Sequence, residues 1–208
     1  MTERAAPMAK KSTTGIMGRR NLMAAAVILP FAGRGHAAAP ELKVLDDITG
    51  TDGRSPLGTR WAGFTDQVMG GRSTGSARVD TILERRCLRL SGRVNTKGGG
   101  FIQLALDLEP GGIPLNASAY QGFEIDVWGN GEEYNCHIRT TDVRWYEQSY
   151  RATFASKPEW QTLRLPWSAF IPNGLKEPLN LKGLQRVALL GWMRDFDADV
   201  ALARIALY

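Results

Sequence analysis

The chain has 208 residues, with 26 Lys plus Arg against 21 Asp plus Glu and a formal net charge of +5. Six cations (Arg4, Lys10, Lys11, Arg19, Arg20, Arg34) and one anion, Glu3, fall within residues 1–37, so residues 38–208 keep 20 of each and are neutral. A neutral domain lacks the cation surplus needed to cover nucleic-acid phosphates, which excludes that class of partner.

Residues 1–37 read as an export signal. Arg19-Arg20-Asn21-Leu22-Met23 precedes an uncharged run from Ala24 to Gly33 and a small-residue exit through Ala37-Ala38-Ala39. The paired arginines resemble a twin-arginine signal, with cleavage expected after Ala37 and a short linker over residues 38–43. The expected location is therefore the bacterial periplasm, with no stable membrane insertion after cleavage. A mitochondrial transit peptide, leading to the matrix, is the alternative, because Met1–Arg20 is basic and acid-poor.

Beyond the linker the apolar residues recur with period two, the spacing of strands with one buried face. In chain order the pattern predicts strands around Leu88–Val94, Phe101–Leu108, Phe123–Val127, Tyr134–Ile138, Ser149–Phe154, Trp160–Leu165, Val187–Met193 and Val200–Tyr208. Clusters such as Pro110-Gly111-Gly112 and Pro172-Asn173-Gly174 separate them, and Gly129-Asn130-Gly131 reads as a hairpin turn. The expectation is one all-β domain, an antiparallel β-sandwich or jelly roll over residues 44–208.

No catalytic constellation emerges. His137 is the one histidine after the leader, which excludes a multi-histidine zinc site. Cys136 is adjacent to it in sequence, but neighbours on a strand face opposite sides, so Cys136 is expected inward and His137 outward. The same parity argument speaks against a Cys87–Cys136 disulfide. Asp195, Asp197 and Asp199 alternate as calcium ligands do, yet no further acidic ligands join them, so they read as a solvated turn. No catalytic residue, metal or cofactor is expected.

Two segments stand out as binding candidates. Trp61–Gly75 is neither helical nor cleanly alternating, and Gly70-Gly71 permits positive φ or close backbone approach. Asp66 is placed to accept backbone hydrogen bonds that lock this bend, while Trp61, Phe64 and Met69 supply an apolar patch. A buried corner of the sandwich is the alternative reading of the segment. Farther on, Trp145 and Tyr146, near His137, Arg139 and Asp142, suit sugar stacking and hydrogen bonding.

The stretch Asp66-Gln67-Val68-Met69-Gly70-Gly71-Arg72-Ser73, following Trp61, resembles the signature of the complex I intermediate-associated protein 30 family. Leu90-Ser91-Gly92-Arg93-Val94, Gly99-Gly100-Phe101, Tyr120-Gln121-Gly122-Phe123, Gly129 to Tyr134 and Leu165-Pro166-Trp167 follow in the family's order. The resemblance implies a galactose-binding-like jelly roll and a non-catalytic assembly or chaperone-type factor that binds a protein partner. A carbohydrate- or small-ligand-binding module is the alternative. The candidate contact residues are Trp61, Asp66, Met69, Gly70, Gly71, Ser73, His137, Trp145 and Tyr146.

Overall fold

The computed structural model describes residues 41–208; the expected export signal and residues 38–40 of the linker lie outside them. Twelve strands form: β1 (Lys43–Asp46), β2 (Trp61–Thr65), β3 (Thr74–Ile82), β4 (Arg85–Val94), β5 (Phe101–Asp107), β6 (Gly122–Gly129), β7 (Glu133–Thr140), β8 (Ser149–Ala155), β9 (Gln161–Pro166), β10 (Ile171–Asn173), β11 (Leu184–Trp192) and β12 (Phe196–Leu207). They make two six-stranded antiparallel sheets. One runs β3-β4-β12-β6-β9, with β1 paired to the end of β12; the other runs β10-β8-β7-β11-β5-β2. Among the described residues no helix is long and apolar enough to cross a membrane.

The core lies between the sheets and follows from alternation. Phe123, Ile125 and Val127 point inward from β6, and Tyr134, Cys136 and Ile138 answer from β7, all fully buried. The register shift in β12 between Leu202 and Arg204 lets both Leu202 and Ile205 face inward, although strict alternation would separate them. Pro172 sits in β10, an edge strand, where its missing N–H costs no ladder bond.

Two expectations need correction. Gly129-Asn130-Gly131 is not a hairpin turn: β6 and β7 belong to opposite sheets, and the segment carries the chain across the sandwich. Asn130 anchors this crossing, donating from Nδ2 to the Asp197 carbonyl at 2.8 Å and accepting from the Tyr134 hydroxyl at 2.7 Å. Alternation marks a strand but does not say which strand it pairs with. Asp197 and Asp199 lie within β12 and are not a solvated turn; they pair with Arg93 and Arg89, while Asp195 accepts from Thr96. β1 begins at Lys43, the last residue of the stretch read as linker. Cys87 and Cys136 are free and buried in separate clusters, Cys136 in the core and Cys87 beside Ala201 and Ala203.

The outer face of the first sheet is closed by charge pairing. Arg204 bridges Glu124 at 2.5 Å and Asp126 at 3.0 Å, Arg164 adds to Glu124 at 2.9 Å, and Arg85 adds to Asp126. Arg78 and Arg89 stand directly opposite each other on β3 and β4, a repulsive arrangement on its own. Asp80 bridges them at 3.1 and 3.2 Å, and Asp199 takes Arg89 from the other side at 2.6 Å.

Candidate functional site

The outer face of the second sheet is built differently. Its outward side chains line up in rows fixed by register. One row runs Ala62, Ala105, Ala188, His137, Arg151; the next runs Phe64, Gln103, Leu190, Asn135, Thr153. The small side chain of Ala188 sits between the large ones of Phe64, Phe101 and Trp192, and it leaves a hollow in the sheet surface. Ala105, Ala188 and Leu190 are buried beneath these aromatics as a separate apolar cluster. The result is a groove of about 490 Å³, a size suited to a small ligand or a few residues of chain.

The segment Trp61–Gly75 supplies one wall. It consists of β2, a single 3-10 turn at Asp66–Met69 and the start of β3. Asp66 is fully buried and organises the turn. Its Oδ1 accepts from the Ser73 N–H at 2.8 Å; its Oδ2 accepts from the Ser73 hydroxyl at 2.8 Å and the Gly100 N–H at 2.6 Å. Burial alone would raise this carboxyl's pKa, but the hydrogen bonds from Gly100 and Ser73 outweigh it and hold the group below the usual carboxylate range. Gly70 closes the turn at φ 81°, and a β-carbon at Gly71 would collide with the Asp66 carboxylate. Each glycine therefore has its own steric reason.

Locking Asp66 inward turns the next residues outward. Val68 is 74% exposed and Met69 45%, and both line the groove. Met193, 57% exposed, joins them on the rim. Its φ of 55° is unusual for a residue with a side chain, and its N–H donates to the Gly100 carbonyl at 2.7 Å. The bend is thus a structural corner with an exposed apolar side: Asp66, Ser73, Gly70 and Gly71 shape it, and Val68 and Met69 face out.

The opposite end of the groove is polar. His137 points outward from β7, its Nδ1 3.2 Å from the Ser149 hydroxyl and its ring edge-to-face with Trp192 at 5.2 Å. Arg151 stacks on the other ring system at 4.8 Å from the Trp192 centroid. Burial first, and then the Arg151 charge, push the His137 pKa down to about 4, so the imidazole is neutral at pH 7. An unfolded histidine titrates near 6.5. The folded group therefore resists a proton that the unfolded chain accepts, and stability is expected to fall as pH drops from about 6.5 to about 4. Thermal melts across this range should show that decline, and His137→Phe should flatten it.

Among the remaining candidates, Tyr146 lines the groove from the β7–β8 loop, whereas Trp145, 63% exposed, sits beside it outside the lining. The carbonyls of Trp145 and Tyr146 accept from Arg139 at 3.4 and 3.1 Å, which ties the loop to β7. Trp61 is away from the groove; its indole N–H donates to Asp46 at 2.7 Å and its ring packs on the core. Phe64, read in the sequence as part of an apolar patch with Trp61 and Met69, lines the groove too, and Phe101, Gln103, Arg186, Ala188, Leu190 and Trp192 line it without having been singled out as a site. The readable signal for two of them was parity: Phe101 and Trp192 place aromatic rings on the solvent side of their strands. Among the described residues no group of His, Cys, Asp and Glu could hold a metal ion.

Two antiparallel sheets packed face to face, with a groove on one outer face, define a β-sandwich. Similar solved structures are a family 11 carbohydrate-binding module of a Clostridium thermocellum cellulosomal cellulase (15% identity, TM-score 0.62, covering 82% of this chain and 95% of that one) and the Clostridium thermocellum family 11 module in complex with a β-1,3-1,4-mixed-linked tetrasaccharide (14%, 0.62, 80% and 94%). A family 30 carbohydrate-binding module is also similar (15%, 0.53, 81% and 99%). At these identities the likeness is one of fold. The model of the complex I intermediate-associated protein 30 family matches residues 53–198, and the chain belongs to that family. No curated protein matches the chain in sequence.

Proposed function

We propose that this protein is a non-catalytic, assembly-type binding factor that seats a segment of a partner protein in the groove on the outer face of the second sheet. The observation that carries this reading is the exposure of Val68 and Met69 on the groove wall. The family signature spends a buried carboxylate and two sterically required glycines on a turn that presents these apolar side chains to solvent. Flexible methionines beside an apolar floor adapt to varied protein side chains. The twin-arginine-like leader supports action outside the cytoplasm, in the periplasm.

A second reading is a glycan ligand. Phe64, Phe101, Trp192 and Tyr146 beside Gln103, Gln148 and Asn173 offer rings and hydrogen-bonding groups, and the fold neighbours include a module in complex with a tetrasaccharide. The two readings separate in one experiment. A photo-crosslinking residue is placed at Met69 in the source organism, with Val79 on the first sheet as the control position. Discrete protein adducts from Met69 and none from Val79 are expected. Absence of protein adducts, together with groove-dependent binding on a glycan array, would move the assignment to the second reading.

A further inference from the structure

The groove carries an unbalanced charge. Arg139 on β7 and Arg186 on β11 are register partners, two guanidiniums directly opposite each other on the outer face. Like charges in this position repel. The first sheet meets the same situation at Arg78 and Arg89 and resolves it with Asp80 between them. Here the row reads Asp107, Arg186, Arg139, and its one carboxylate takes Arg186 from the far side at 2.6 Å. Among the described residues no carboxylate lies within ion-pair distance of Arg139 or Arg151, and Arg151 Nε and His137 Nε2 are buried without hydrogen-bond partners. Glu147 is on the groove wall and favours the charge of Arg139, but burial and Arg186 oppose it more strongly and lower the Arg139 pKa. His137 is neutral and leaves the balance unchanged. Between this cationic end and the Met69–Met193 rim the floor is alkyl at Ala188 and Leu190, with the Gln103 amide beside Leu190.

We infer that the groove takes an acidic–apolar segment of another protein, with a carboxylate between Arg139 and Arg186 and an adjacent apolar side chain over Ala188 and Leu190. The inference rests on the docking reading above and specifies its ligand. A carboxylate there would play the part Asp80 plays on the other sheet, accepting from N–H groups that Arg139 does not give to the Trp145 and Tyr146 carbonyls and that Arg186 does not give to Asp107. Directly over Ala188 and Leu190 the surface is alkyl, and an apolar side chain is the group that gains by covering it.

The test is selection of random heptapeptides displayed on phage against three immobilised forms: wild type, Arg139→Gln/Arg186→Gln, and Ala188→Trp, whose added indole fills the groove. Wild type is expected to enrich peptides with Asp or Glu beside an apolar residue, to lose them as salt is raised, and to bind them at least about tenfold more tightly than the double variant. If the double variant does not fold, Arg139→Gln alone gives the same reading. Peptides that bind wild type but not Ala188→Trp, yet show no acidic enrichment, would overturn the charge assignment and leave groove docking standing. Recovery of no groove-dependent peptide would overturn both. Groove-dependent binding of oligogalacturonate without any such peptide would overturn the peptide assignment in favour of an acidic glycan.

Discussion

Asp66→Ala is expected to destabilise the protein by about 3–5 kcal/mol, a large part of the ~5–15 kcal/mol that holds a domain of this kind together. The Ser73 and Gly100 N–H groups both end on the Asp66 carboxylate, and the substitution leaves these two buried donors without an acceptor at about 1–3 kcal/mol each. The Ser73 hydroxyl keeps its contact with Asn95 and adds less. Asp66→Asn, which retains one acceptor, should cost less than half as much. The carboxyl's pKa is depressed in the folded state, so its contribution is present above the unfolded value near 3.9 and is lost as pH falls through the lower folded value. Urea denaturation of the three proteins at pH 7 measures these differences. A loss under about 1 kcal/mol for Asp66→Ala would mean that the turn is held by something other than this carboxylate.

Arg204→Leu is expected to cost about 2–4 kcal/mol. Its guanidinium joins Glu124 and Asp126, both nearly inaccessible, and removing it leaves two buried carboxylates with one arginine each. Breaking a fully buried pair costs about 3–5 kcal/mol; the figure here is lower because Arg204 retains some exposure and Arg85, Arg164 and Thr162 remain. For Asp126, burial raises the pKa but Arg204, Thr162 and Arg85 more than offset it; for Glu124, Arg204 and Arg164 lower it outright. Both carboxyls thus lend stability above their unfolded pKa values, and wild type should lose it only as pH falls below about 4. In Arg204→Leu the loss should begin at higher pH, because the carboxylates are then held less firmly in the charged form. An unchanged acid limb in the variant would contradict the network's role. Binding should be unaffected, since this network lies on the opposite face of the sandwich from the groove.

The fold was legible from period two because both sheets bury one face. Phe123-Ile125-Val127 and Tyr134-Cys136-Ile138 needed only their own spacing to be assigned inward. β2, β3 and β10 were not legible as strands: they are sheet edges with mostly accessible side chains, so little alternation is imposed on them. The crossing at Gly129–Gly131 escaped for a different reason, since pairing is a property of distant segments. The site divides in the same way. The Asp66 lock and the outward His137 follow from local geometry, and both could be read. Ala188, which lines the hollow, and Ala105 beside it meet only through register, 83 positions apart in the chain. Arg139 and Arg186 likewise become neighbours only through the β7–β11 ladder.

That hollow gives the most direct test of the account. Ala188 lines the groove from the outer face of β11 and packs on nothing in the central core, so Ala188→Trp should fill the groove and leave the sandwich intact. Wild type and Ala188→Trp, matched for folding by circular dichroism, are incubated with the same extract of the source organism, and the retained material is compared by quantitative mass spectrometry. The components specifically held by wild type are expected to fall at least about tenfold on the variant, a difference of about 1.4 kcal/mol in binding. Equal retention on both proteins would show that the ligand is held elsewhere and would contradict the assignment of the groove.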